Sequence, residues 1–298
     1  MILLILLTWK QGTTILGTST TATFTYIYPA SAGGSSSITA EIQTVCEDKI
    51  TLNKSFLIPY ITKIWDKTFG GNGTDEQSVV VATSDGGFLL GGRSTSNILG
   101  DKTENGRGSD DFWVVKINAN GQKQWDRTFG GTNSDVMNHI VPTSDGGYLL
   151  GGRSNSNASG DKTENSRGNE DFWIIKVNAN GVKQWDKTFG GTGDDIGTAI
   201  VSTPDNAFLI GGGSNSNASG EKSENSRGGA DYWILKMDTN GNKQWDKTIG
   251  GSGEDQVYTL LSIPSGGFLI FGFSDSNISG EKSENSRGGR DFWTVKVR

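Results

Sequence analysis

The chain repeats itself every 60 residues, and no other property limits its possible folds so tightly. Tryptophans fall at Trp65, Trp125, Trp185 and Trp245, and a second series at Trp113, Trp173, Trp233 and Trp293; both advance in steps of 60. Residues 125–184 and 185–244 agree at about three positions in five, more than a shared fold requires, so duplication is the plain source. A unit of this size cannot bury its apolar face alone and stacks on its neighbours around a continuous core. The repeats run 65–124, 125–184, 185–244 and 245–298 within a region 61–298, and residues 1–60 read as a separate N-terminal segment.

Each unit is punctuated as four short strands. In the second, the stretch ending at Phe129 alternates aromatic and polar residues and stops at Gly130 and Gly131, as a half-exposed edge strand does. Ile140 and Val141 lead into Ser144, Asp145, Gly146 and Gly147, a tight-hairpin sequence. Tyr148, Leu149 and Leu150 follow, then the pair Gly151 and Gly152, which removes side chains where backbones come close. A polar loop over 154–170 precedes Asp171, Phe172, Trp173, Ile174 and Ile175, a strand apolar on both faces. Asn180-Gly181 then turns the chain into the next tryptophan strand, as Asn120-Gly121 and Asn240-Gly241 do. Four antiparallel strands per unit without a helical period predict an all-β fold, a β-propeller of four four-stranded blades. Residues 61–69 supply only the tryptophan strand and the last repeat lacks one, so the Trp65 strand is expected to pair with the Trp293 strand and close the ring. The alternative is a fragment of a larger propeller.

Composition narrows the function. A net charge of −6 with dispersed Lys and Arg is not the clustered basic surface that nucleic acid requires. The single cysteine, Cys46, permits neither an intrachain disulfide framework nor a cysteine zinc site. The apolar start, Met1 to Leu7, is too short to span a bilayer and lacks the basic flank of a signal peptide, so residues 1–60 read either as a weak leader with a linker near 31–37 or as the remnant of an upstream module. The stretch 18–28 is β-prone, and no site is read in this segment.

The sequences Trp-Asp-Lys-Thr-Phe-Gly-Gly, Ser-Asp-Gly-Gly-Tyr-Leu-Leu-Gly-Gly, Asp-Phe-Trp-Ile-Ile-Lys-Val and Asn-Gly-x-Lys-Gln-Trp-Asp resemble the long propeller-type repeats of Bacteroidota surface proteins, which are often linked to type IX secretion. The resemblance covers residues 61–298, without the sorting domain typical of such cargo, and implies an extracellular or cell-surface scaffold or adhesion role with no fixed activity. A further similarity is to quinoprotein-type repeats, in which a glycine shortly before a tryptophan docks it against the next blade, as Gly121 before Trp125 and Gly181 before Trp185 suggest.

Three recurrent groups are candidates for chemistry. The glycine-aspartate turns that end at Asp75, Asp135, Asp195 and Asp255 echo a calcium-binding nonapeptide, but turns 60 residues apart cannot share ligands and each offers too few oxygens for Ca²⁺. These aspartates are expected to cap turns, and neither a metal nor a cofactor is expected. The Thr-x-Asp-x-Gly turns at Thr83, Asp85, Gly87 and Thr143, Asp145, Gly147 are similar to the Asp-box hairpin, a folding element. The long polar loop is the most faithfully copied stretch: Glu104, Asn105 and Arg107 recur as Glu164, Asn165 and Arg167, as Glu224, Asn225 and Arg227, and as Glu284, Asn285 and Arg287. Acid, amide and guanidinium together suit hydrogen bonding to a glycan or a surface protein; the bland reading is that Glu164 pairs with Arg167 and Asp161 caps a turn. The lone histidine, His139, excludes Ser-His-Asp and histidine-metal chemistry, and no catalytic residue is assigned. The expected function is a non-catalytic binding or structural scaffold; the alternative is a hydrolase or lyase acting on glycans.

Overall fold

The computed structural model describes residues 6–11, 14–19, 34–43, 49–58, 63–263 and 266–298. All of its regular structure is β, and no helix forms among the described residues. The chain divides into two compact units, Met1–Asp66 and Lys67–Arg298.

The first unit forms a sheet in its own right. Strands β1 (Leu6–Gln11), β2 (Thr14–Ser19), β3 (Gly34–Gln43) and β4 (Lys49–Ile58) form an antiparallel sheet in the order β2-β1-β3-β4. The expected linker near 31–37 overlaps the start of β3, and most of the β-prone stretch 18–28 lies outside the described residues.

The second unit is built from the repeats. Its first sheet joins β5 (Asp75–Ala82), β6 (Phe88–Ser94), β7 (Asp111–Ile117) and β8 (Lys123–Phe129) in chain order. The second joins β9 (Asp135–Pro142), β10 (Tyr148–Ser154), β11 (Asp171–Val177) and β12 (Lys183–Phe189); the third joins β13 (Asp195–Ser202), β14 (Phe208–Ser214), β15 (Asp231–Met237) and β16 (Lys243–Ile249). The fourth has three strands, β17 (Asp255–Ser262), β18 (Phe268–Ser274) and β19 (Asp291–Val297). All neighbouring pairs are antiparallel. The turn residues behave as their chemistry requires: Gly121, Gly181 and Gly241 take φ of 73°, 75° and 85°, which side chains resist. Each first strand begins at an aspartate four residues past the second glycine of the pair, earlier than the apolar run Ile140-Val141 alone indicates.

Neighbouring sheets pack face to face through one recurring contact. Phe112 of the first sheet lies 4.9 Å from Trp173 of the second, Phe172 lies 4.8 Å from Trp233, and Tyr232 lies 4.7 Å from Trp293. Around each pair closes a core of strand residues: Phe112, Val114 and Leu89 meet Met137, Ile140 and Ile175 at the first junction. Because alternate residues of a strand serve opposite faces, β7, β11 and most of β15 are buried along their length. The two glycines of each pair have separate tasks. A side chain on Gly151 would strike Ile200 of the next sheet, whereas one on Gly152 would overlap the carbonyl of Val136 in its own sheet, where the β9-β10 register carries a bulge. Gly181 and Gly241 lie against Trp125 and Trp185 of the preceding sheets, so the tryptophan docks on the following turn.

The expected ring closure is not formed among the described residues. Residues 63–74 make no strand, β19 pairs only with β18, and β17 does not pack on β5 as β9 does. The end sheet also departs from the internal ones: the fourth sheet has Phe271 where the others have Gly91, Gly151 and Gly211.

Candidate binding sites at the repeat junctions

The loop residues singled out by repetition are brought together by the structure and then largely used within the chain. The side-chain oxygens of Asn105, Asn165, Asn225 and Asn285 accept from the backbone N–H groups of Ile98, Ala158, Ala218 and Ile278 at 2.9–3.0 Å, which folds each loop back on itself. Glu104, Glu164 and Glu224 accept from the N–H of Thr128, Thr188 and Thr248 at 2.9, 3.2 and 3.0 Å, tying the loop to the last strand of its sheet. Arg107, Arg167 and Arg227 reach forward to Asp161, Glu221 and Glu281 of the next loop at 2.8, 2.6 and 2.6 Å. The Glu164–Arg167 pair does form, at 3.4 Å, but the arginine's closer partner belongs to the following repeat. The fourth loop differs: Glu284 and Arg287 are 79% and 86% exposed and lie 3.9 Å apart.

The glycine-aspartate turns are capped as expected. Asp135, Asp195 and Asp255 accept through Oδ2 from Gly131, Gly191 and Gly251 N–H at 2.7–2.8 Å, and from Ser156, Ser216 and Ser276 hydroxyls at 2.8–3.0 Å. Each is fully buried beside a second carboxylate, respectively Asp111, Asp171 and Asp231, whose Oδ1 meets no hydrogen-bond donor. Burial pushes Asp171 up to about 6, and the charge of Asp195 adds to the rise. Because its folded value lies above the unfolded one, the stabilisation from the bound proton is full below about pH 4 and is lost as pH rises through about 6. Asp171→Asn, which keeps an acceptor for Arg167 N–H, is therefore expected to stabilise the protein by about 2 kcal/mol at pH 8 and to make no difference below pH about 4, read from thermal unfolding across pH. No group of three or more His, Cys, Asp or Glu placed to hold a metal occurs among the described residues.

The Asp-box turns face the opposite end of the strands from the long loops. Thr143 Oγ1 donates to Asp145 Oδ1 at 2.5 Å, Gly147 N–H donates to the same oxygen at 3.1 Å, and Lys176 Nζ from β11 lies 2.8 Å from Oδ2. Hydrogen bonds from Lys176 and then Thr143 hold the Asp145 carboxyl at about 2. Asp205 in the third sheet, which keeps only part of the motif, still pairs with Lys236 at 2.5 Å and lies at about 2. Between the second and third sheets this turn opens a cleft of about 440 Å³, in which Trp185 and Phe208 form an aromatic wall and Asp145, Lys176, Gln184 and Asn240 a polar rim. Its volume lies within the range of small-ligand sites. In the first sheet the counterpart of Lys176, Lys116, donates through Nζ to Gln124 at 2.8 Å.

The chain resembles the regulatory protein FlaEY of Caulobacter vibrioides. The two are 24% identical over 226 residues, which is 72% of this chain and 23% of FlaEY, so the chain spans about a quarter of that protein's length. No known family model matches the chain.

The cleft was not legible from repetition. Its residues come from two repeats, and the signal available was the alternation in which Trp185 falls on the exposed side of an edge strand while Gln184 flanks it. His139, the only histidine, is half-buried in β9 beside Ile200, and burial lowers its pKa.

Proposed function

We propose that the four sheets are successive blades of a β-propeller larger than four blades, and that the protein is a non-catalytic scaffold at the cell surface or outside it, binding glycan through the inter-sheet cleft. The observation that carries the binding reading is the Trp185 wall beside Asp145, Lys176, Gln184 and Asn240. An indole face packs against the C–H face of a sugar ring, and carboxylate, amide and ammonium groups suit its hydroxyls. The propeller reading is supported by the contacts of β9 with β5 and β13, and of β13 with β17, which set the first strand of every sheet beside the next, as innermost strands lie around an axis. Export follows the resemblance of the repeats to surface proteins.

Binding is favoured over hydrolysis by the state of the acids. A glycosidase needs one carboxyl that keeps its proton near neutral pH. Asp145 in the cleft is held at about 2 by Lys176, whereas Asp171, raised to about 6, is buried in the junction out of reach of a ligand.

The test is a glycan array followed by calorimetric titration on the full chain. Trp185→Ala is expected to weaken binding at least about tenfold, since stacked aromatics dominate such contacts. A triple change at Glu164, Asn165 and Arg167 is expected to lower the melting temperature and leave affinity unchanged. Binding lost in the triple variant and kept in Trp185→Ala would return the site to the loops.

A further inference from the structure

The cleft between the second and third sheets carries its charges unevenly. The lysine that lines it, Lys176, is only 7% exposed and directs its Nζ protons inward, to both oxygens of Asp145 at 3.0 and 2.8 Å and to the Val177 carbonyl at 3.1 Å. Asp145, in contrast, is 55% exposed. The cation is covered and its carboxylate partner faces solvent, so a ligand entering the cleft meets an acceptor before it meets a donor.

A second carboxylate stands on the facing sheet. Thr239 and Asn240 line the cleft from the turn between β15 and β16, and Asp238 caps that turn, its Oδ1 accepting from Asn240 and Asn242 N–H at 2.9 and 2.8 Å. In the second sheet the same turn is capped by Asn178, which accepts from Asn180 and Val182 N–H at 2.9 and 3.0 Å, and in the first by Asn118. A neutral amide therefore suffices to build the turn, and the charge at Asp238 is an addition peculiar to the repeat that faces this cleft. Burial alone would raise the Asp238 carboxyl, but the bonds from Asn242, Asn240 and Gly241 hold it below its ordinary value, so it is ionised at neutral pH.

The nearby lysines of β12 are already matched. Lys187, whose stem lies against the Gly241 turn, carries its Nζ to within 3.4 Å of Glu164, and Lys183 lies 2.7 Å from the buried Asp186. One covered lysine thus stands beside two exposed carboxylates, next to the indole of Trp185 and the ring of Phe208, and an aromatic face attracts a cation as the carboxylates do.

We propose that the ligand of the cleft is a glycan bearing free amino groups, its ammonium drawn by Asp145 and Asp238 and by the face of Trp185. The proposal rests on the reading of the cleft as a glycan site and names the class of sugar it takes. A sugar is favoured over a lysine side chain because Thr143, Gln184, Thr239 and Asn240 supply hydrogen-bonding groups that ring hydroxyls use and a single ammonium does not. Uronate and sulfated sugars are disfavoured by the same two carboxylates, and the net charge of −6 adds to their exclusion.

The experiment is calorimetric titration of the full chain at low salt with oligomers of one length: glucosamine, N-acetylglucosamine and galacturonate, together with a lysine oligopeptide. The glucosamine oligomer is expected to bind about tenfold more tightly than its acetylated counterpart, and the galacturonate oligomer not at all. Asp238→Asn, which restores the cap used in the second sheet and is expected to keep the parent melting temperature, is expected to reduce that preference to about threefold. Trp185→Ala is expected to weaken the binding of both neutral and amino sugars. Equal affinity for the glucosamine and acetylated oligomers, tighter binding of galacturonate, or a preference unchanged in Asp238→Asn would overturn the proposal and leave glycan binding standing. A lysine peptide that binds more tightly than the glucosamine oligomer would overturn it in favour of a protein partner. Failure of every oligosaccharide to bind would overturn the glycan reading and the proposal together.

Discussion

Gly152→Ala is expected to destabilise the repeat unit by about 3 kcal/mol or more, although it adds a single carbon. The new Cβ would overlap the carbonyl oxygen of Val136 and lie 2.9 Å from Met137 Cα, and both are backbone atoms of a hydrogen-bonded strand. Relief requires the bulge itself to move. Gly146→Ala supplies the contrast: its φ of 81° is unfavourable to alanine, but nothing lies within 4 Å of the added carbon. That change is expected to cost about 1 kcal/mol. Equilibrium urea unfolding of the two variants decides the matter; equal losses would mean that backbone conformation, and not the collision, makes glycine necessary.

Asp186→Ala is expected to cost about 4 kcal/mol, the largest loss from any single polar side chain of the second sheet. Its carboxylate is buried and collects four donors: the Trp173 indole at 3.0 Å, Thr163 N–H at 3.0 Å, Thr163 Oγ1 at 2.9 Å and Lys183 Nζ at 2.7 Å. Truncation strands an indole, an amide and an ammonium together. Burial alone would raise this carboxyl, but the bonds from Lys183, Thr163 and Trp173 hold it below its ordinary value. Its contribution is therefore present at neutral pH and is lost as the solution is acidified through its folded pKa, opposite in sign to Asp171. Asp186→Asn, which keeps the shape and loses the charge, is expected to retain part of the stability and to lose that acid sensitivity, as measured by thermal unfolding between neutral and acid pH.

Much of the fold was legible because its signals are local. Asn180-Gly181 specifies a turn wherever it occurs, and the alternation of β12 against the continuous apolar run of β11 distinguishes an edge strand from a buried one. The identity of the neighbours was also legible, since a residue such as Phe172, apolar and opposite Trp173 in the pleat, must meet something apolar on each side. Closure was not. Complementary end strands look the same in sequence whether or not the first and last sheets meet. The loop residues stand together in the structure, where Arg167, Glu164 and Asn165 each have a partner inside the array, and polar side chains with internal partners look the same in sequence as those that meet a ligand. The cleft residues escaped notice because Asp145 and Asn240 lie almost a hundred positions apart and converge only when sheets stack.

The forward-reaching arginines have an evolutionary consequence. Each 60-residue unit contains both halves of the brace, an arginine aimed at the next loop and an acid, Asp161, Glu221 or Glu281, that receives the previous one. Copying one unit in place therefore inserts a finished junction: the old arginine finds the new acid, the new arginine finds the old acid, and neither charge is left over. Array length can change by whole units without any second mutation to repair the seam, so the number of repeats is free to drift under selection while the junction stays the same.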